Sequence, residues 1–255
     1  MKNDIEREEA LNEIRKNIAE RGYHTYGVVG DACPHYGYTI GLTESLGAEL
    51  VLAGGYFYLL DEVSEIIDGV VGKLRQDRKL RQPASWESKR IKCAPKGTFS
   101  LRRVHMTWAK ALMLGVFDYY QVKKIQAYQI VPDKAHWTIE IPDMTKPWSP
   151  KLAPAWRWLQ EEWTYPVPID SVALSDLGAL RGRRITEVMR WEKDQWEMFA
   201  GAGPDIPEEE RRVVMLGSLL AADESLRPAV DLRVETGLWR GKDESEWHPW
   251  GKRRR

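Results

Sequence analysis

The chain predicts an α+β fold in two parts, an N-terminal unit of mixed helix and sheet followed by a smaller, strand-rich unit. Two observations carry that prediction. Apolar residues switch repeatedly between a spacing near 3.6 and a spacing of 2. Pro142, Pro147, Pro150 and Pro154 then follow one another too closely for a helix or a central strand to pass through, and the patterns beyond them are mostly strand-like. The expected division is residues 1–148, a Pro/Trp-rich linker 149–164 and a second domain 165–255.

The first helix is expected to open on a capping box, Asn3 with Glu6, to bury Leu11, Ile14 and Ile18, and to stop at Gly22. Two short strands bracket the loop Asp31-Ala32-Cys33-Pro34-His35. The second of them, Tyr36 to Glu44, alternates almost strictly: Tyr36, Tyr38, Ile40 and Leu42 on one face, Gly37, Thr39 and Gly41 on the other. One bulky and one nearly bare face lets another element, or a ligand, approach the backbone closely. Leu50 to Ala53 forms a third strand. Asp61 caps a helix in which Val63, Ile66, Ile67, Val70, Val71 and Leu74 keep the i, i+3, i+4, i+7 spacing. From Gln76 to Phe99 no period is clear and Pro83 and Pro95 intervene, so an extended basic loop is expected. Ala109, Leu112, Met113, Val116, Phe117 and Tyr120 define one more amphipathic helix, and Ile125 to Val131 a strand.

In the second half Ser171–Leu174, Ile185–Trp191 and Gln195–Phe199 read as strands. The last two form a hairpin around Glu192-Lys193-Asp194, with Trp191 and Trp196 at its ends. Val213 to Leu220 reads as a further strand before a turn through Asp223 and Pro228. Trp156, Trp158 and Trp163, near Tyr165, either pin the linker onto a domain surface or offer an aromatic patch to a partner.

Several ordered pieces resemble a bacterial family known as domain of unknown function 4262, from about Ile14 to Trp148. They are Glu20-Arg21-Gly22-Tyr23-His24, Gly27-Val28-Val29-Gly30-Asp31, Pro34 leading into Tyr38-Thr39-Ile40-Gly41-Leu42, Glu49-Leu50-Val51-Leu52, and Gln129-Ile130-Val131-Pro132-Asp133-Lys134. Where the family often carries His-Pro-Glu-Leu, this chain has Gly47 and Ala48 before Glu49 and Leu50. The resemblance brings no catalytic residues with it. From about Val172 to Trp250 the chain is similar to immunity domains of polymorphic toxin systems, domain of unknown function 2185. That similarity lies in Asp194-Gln195-Trp196-Glu197-Met198-Phe199, Asp223-Glu224-Ser225-Leu226, Asp231-Leu232 and Gly237-Leu238-Trp239-Arg240. It implies binding rather than catalysis.

Composition narrows the classes further. The longest apolar runs fall far short of the roughly 18 residues a membrane span needs, and MKNDIEREEA has no apolar signal core, so a cytoplasmic, membrane-free protein is expected. Two cysteines, Cys33 and Cys93, are too few for a disulfide framework. Net charge is zero, but residues 1–72 hold 5 basic and 13 acidic side chains (−8) and residues 73–103 hold 11 basic and 2 acidic (+9). Either these segments face each other or water, or Lys73, Arg75, Arg78, Lys79, Arg81, Lys89, Arg90 and Lys92 form a basic surface for an acidic partner. Neutral overall charge argues against nucleic acid.

G-x-S-x-G, P-loop, GxGxxG and His-Glu-x-x-His patterns are absent from the sequence. Cys33-Pro34-His35 is the densest cluster of potential metal ligands or nucleophile and base, but Cys93, His105 and His136 are scattered, and the plain reading is a buried thiol with loop imidazoles. Catalytic residues and cofactors are therefore expected to be none. Two functions from different classes remain. One is an immunity-type binding protein that covers a toxin or similar partner. The other is a small-ligand protein or enzyme whose pocket lies beside the bare face of Gly37, Thr39 and Gly41 and contains His24 and Tyr38.

Overall fold

The computed structural model describes residues 2–80, 82–87 and 89–250. It has an α+β architecture built on two mixed six-stranded sheets, one in each half of the chain. The first sheet contains β1 (His24–Val28), β2 (Tyr36–Ile40), β3 (Glu49–Ala53), β4 (Arg90–Cys93), β5 (Gly97–Arg103) and β6 (Ala127–Pro132) in the order β1-β2-β3-β6-β5-β4. Only β3 and β6 run parallel.

Helices cover both faces of this sheet. α3 (Leu60–Gln76) packs on one face through the six apolar residues its spacing predicts, joined by Leu50, Leu52, Phe99, Leu101 and Ile130. On the other face α1 (Lys2–Arg21), α4 (Met106–Leu112) and α5 (Leu114–Tyr120) enclose Tyr38, Ile40, Val51 and Ala127. α1 ends as expected, with Gly22 at φ +81° and its N–H on the Ile18 carbonyl. Asn3 lies within that helix rather than ahead of it.

Several local expectations are corrected. β2 stops at Ile40, because Gly41 takes φ +114° and turns the chain into the short helix α2 (Leu42–Leu46). Its bare face is filled by α3 at Gly37, where a Cβ would stand 2.9 Å from Val63 Cγ1, while Gly41, past the end of the strand, abuts α1, where a Cβ would stand 2.9 Å from Ile18 Cγ1. The N-cap of α3 is Leu59, whose N–H is taken by the Glu62 carboxylate at 2.7 Å, so Asp61 falls inside the first turn. Residues 76–99 are not one loop. They contain two 3-10 turns and then β4, which pairs with β5 at the sheet edge, its four residues alternating exposed Arg90 and Lys92 with buried Ile91 and Cys93. Four residues are too few to establish a period in the sequence, and the outward charges keep this edge strand from pairing with other chains. The single helix expected around Ala109–Tyr120 breaks at Met113, where ψ reaches 43°.

The second sheet contains β7 (Val172–Asp176), β8 (Glu187–Arg190), β9 (Gln195–Phe199), β10 (Arg211–Met215), β11 (Thr236–Trp239) and β12 (His248–Pro249), in the order β10-β7-β9-β8-β11-β12. The β8–β9 hairpin forms with Arg190 opposite Trp196. Val213–Leu220 is a strand only as far as Met215, and Leu216–Ala222 is helix α7, whose apolar residues are continuous because it is buried nearly all round. α6 (Leu177–Leu180), α7 and the 3-10 segment Glu224–Asp231 cover one face of the sheet over Ala173, Val188, Trp196, Met198 and Val214.

The halves are in contact. Tyr56, from the loop after β3, enters the second-half core and its hydroxyl accepts the Met215 N–H at 3.2 Å. Ile139 N–H donates to the Leu180 carbonyl at 2.8 Å. Trp156 is fully buried and donates to the Glu140 carbonyl at 2.7 Å, while Trp158 packs edge-on against Trp163 and Tyr165 and donates to the Gly217 carbonyl at 3.0 Å. The tryptophans thus act mainly as anchors for the Pro-rich stretch.

Candidate functional site

The register of β1 on β2 sets His24 opposite Ile40 and Tyr26 opposite Tyr38, so His24 and Tyr38 share one face while Gly37 and Thr39 lie on the other. The expected site residues therefore do not converge on one pocket. Tyr38 stacks on Tyr26 at 5.5 Å, and its hydroxyl accepts the Gly115 N–H at 3.2 Å. His24 is buried, with Nδ1 at 2.9 Å from Asn17 Nδ2, and burial lowers its pKa.

Thr39 and Gly41 instead meet Glu49, a residue the sequence reading passed over. Its carboxylate is wholly buried at the start of β3. Oε2 accepts the Thr39 hydroxyl at 2.6 Å and the Leu42 N–H at 3.3 Å. Oε1 accepts the Gly41 N–H at 3.1 Å, the Thr43 N–H and hydroxyl at 2.8 Å, and the Tyr120 hydroxyl at 3.1 Å. The Thr39 hydroxyl in turn accepts the Leu50 N–H at 2.9 Å. Such a carboxylate ties β2, α2, β3 and α5 together and leaves no free acceptor for a substrate. The one signal in the sequence was an acidic residue opening an otherwise apolar strand.

The basic segment is spread over two surfaces. Arg75 lies 5.0 Å over the Tyr23 ring and donates to the Arg21 carbonyl, so it buttresses the end of α1. Arg78 and Lys79 are exposed on the turn after α3, and Arg81 lies outside the described residues. Lys73, Arg90 and Lys92 line a groove of about 830 Å³ between α3 and β4. Lys96 is paired with Glu62 and Glu65.

Cys33 and His35 sit where the halves meet. Burial, with Asp31 adding to it, pushes the Cys33 thiol up to about 12, which keeps it protonated and a poor nucleophile. Among the described residues no three His, Cys, Asp or Glu side chains gather as a metal site requires. His35 is 7 % exposed, packs edge-on against Tyr56 at 4.8 Å, and its buried Nε2 has no hydrogen-bond partner among the described residues. Burial lowers its pKa to about 4. Unfolding raises that value toward 6.5, so the unfolded chain binds more protons between those limits; His35 stabilises the fold above about pH 6.5 and that contribution is lost as pH falls toward 4. Between pH 7 and 4.5 the wild type should lose about 2 kcal/mol more than His35→Phe in urea unfolding. Equal losses would refute the assignment. Glu140 lies nearby, with Oε1 accepting the N–H groups of Gly55 and Tyr56, Oε2 buried without a partner among the described residues, and its pKa raised by burial.

The second sheet's other face is the more open surface. β8, β9 and β10 present Glu187, Met189, Glu197, Phe199, Arg211 and Val213 there by register. Trp191 and Trp250, 47 % and 48 % exposed, stand above it and with Gly203 and Pro204 enclose a trough of about 490 Å³. Gly237 gives Trp250 its seat, since a Cβ there would lie 2.4 Å from the indole. Arg211 is engaged by the Ile206 and Gly203 carbonyls, and Glu187 accepts the Gly203 N–H at 3.0 Å. The Glu197 carboxylate has no partner among the described residues. Two aromatic side chains, two carboxylates and the Arg211 guanidinium thus line one concavity. Sequence reading placed Trp191 at a hairpin end and missed the trough, because Trp250 reaches it from 59 residues further along the chain.

Among the described residues no helix is long and apolar enough to cross a membrane. No curated protein and no solved structure matches the chain. Residues 17–137, from the end of α1 to the turn after β6, match the family described as Domain of unknown function (DUF4262), so the first sheet with α2 to α5 is the part of this chain similar to that family.

Proposed function

We propose that the chain is a binding protein of the immunity type, which neutralises or sequesters a bacterial toxin or similar protein in the cytoplasm by covering its working surface, without turnover or cofactor. The observation that carries this reading is the open trough of the second sheet, where exposed Trp191 and Trp250 flank Glu187 and Glu197. Grouped tryptophans beside the Glu197 carboxylate, which has no partner among the described residues, fit a partner that inserts an Arg or Lys side chain, with the aromatic rings excluding water around the pair.

Native mass spectrometry on tagged protein recovered from its own host tests it. Wild type and the charge reversal Arg78→Glu/Lys79→Glu should both carry a stoichiometric second polypeptide, while Trp191→Ala/Trp250→Ala binds it about 100-fold more weakly, the loss expected of two anchor residues. Loss on the charge reversal alone would move the docking surface to Arg75, Arg78 and Lys79, with Arg81. Bare wild-type protein would count against the proposal.

A further inference from the structure

The geometry points to a second site: the cleft between the two halves binds a small apolar molecule that carries one uncharged hydrogen-bonding group, with His35 as the polar anchor. The cleft measures about 550 Å³, within the range of roughly 300–1,000 Å³ typical of small-molecule pockets. Leu59 and Leu60 at the start of α3 form one wall, and Leu174 and Val213 of the second sheet form the other. Three of these four are left facing solvent around one mouth, with Leu59 53 %, Leu60 44 % and Val213 65 % exposed. Single exposed apolar residues are ordinary, whereas several converging on one concavity mark a site.

The polar chemistry of the cleft is spare. Tyr56 spends its hydroxyl on the Met215 N–H and Ser218, and Arg212 spends its Nε and Nη1 on the Phe57 and Glu209 carbonyls. His35 lines the cleft while its buried Nε2 has no hydrogen-bond partner among the described residues. A buried nitrogen left this way is costly, and a hydroxyl or amide on a ligand is the group that repairs it without adding charge. The imidazole is neutral because burial disfavours its protonated form, so His35 itself offers a ligand a hydrogen bond and no charge. This differs from the sequence expectation, which set a pocket beside Gly37, Thr39 and Gly41; the cleft lies instead at His35, the residue that precedes β2.

The test uses the full chain, 4-propylphenol, and propylbenzene as the analogue lacking the hydroxyl, followed through the His35 ring resonances by NMR. The phenol should shift those resonances saturably and bind about 10-fold more tightly than propylbenzene. Leu60→Asp, at an exposed first turn where an acidic residue suits the helix, should weaken both by about 10-fold. His35→Phe, which keeps the ring, should abolish the preference for the phenol. A His35 ring unmoved by either compound, affinities untouched by Leu60→Asp, or a preference that survives His35→Phe would each overturn the inference. Should His35→Phe not fold, Leu60→Asp decides alone.

Discussion

Glu49→Ala is expected to lower the free energy of unfolding by about 4 kcal/mol, a large share of what a domain of this kind possesses. The alanine removes an acceptor for six hydrogen bonds and leaves the N–H groups of Gly41, Leu42 and Thr43 and the hydroxyls of Thr39, Thr43 and Tyr120 without it. Each unpaired buried donor costs on the order of 1–3 kcal/mol, and relaxation recovers only part of the sum. Thr39→Val should cost less, about 2 kcal/mol, since it strips one donor from Glu49 Oε2 and one acceptor from the Leu50 N–H at nearly constant volume. Urea unfolding with the two single variants and the double variant checks both numbers. The double variant should fall short of additivity, because the residues share a bond. A Glu49→Ala loss below about 1 kcal/mol would mean that water reaches the nest, and the structural role given to the carboxylate would be wrong.

Gly217→Val should be nearly as damaging, by a different route. Gly217 lies in α7 where that helix crosses the loop before β2, and a Cβ there would stand 2.4 Å from Ala32 Cβ and 2.6 Å from the Ala32 carbonyl oxygen. Ala32 is fully buried, so neither side has room to yield without moving backbone. Overpacking of this kind costs about 3 kcal/mol, which for a chain of this size is a fall of about 9 °C in Tm. The damage should be centred on the junction: hydrogen exchange at the Trp158 indole, which donates to the Gly217 carbonyl, should quicken more than at the Trp86 indole, which donates to the Leu80 carbonyl within the first half. An unchanged Tm, or equal quickening at both indoles, would show that the halves do not depend on this contact.

The outcome divides along physical lines. The apolar stripe of α3 was legible residue by residue, since it needs only one face of core to satisfy it, whereas its cap, Leu59 in place of Asp61, was not. The β8–β9 hairpin and the stop of α1 at Gly22 were legible too, as local chain geometry decides them. β4 was not, because a four-residue edge strand carries too few apolar positions to reveal a period. α7 was misread as strand because a helix buried on all sides has no polar face to betray its turn.

For this protein the sequence by itself determined the α+β class, the principal buried helix and the likeness of its first half to DUF4262. Only the tertiary structure decided what the signature strand is for. The bare face of Gly37 and Thr39 reads the same whether a helix or a ligand lies against it, and α3 lies against it. It also brought Trp250 to Trp191, and Leu60 and Val213 to His35, because sheet register and the contact between halves are long-range arrangements that local spacing does not encode.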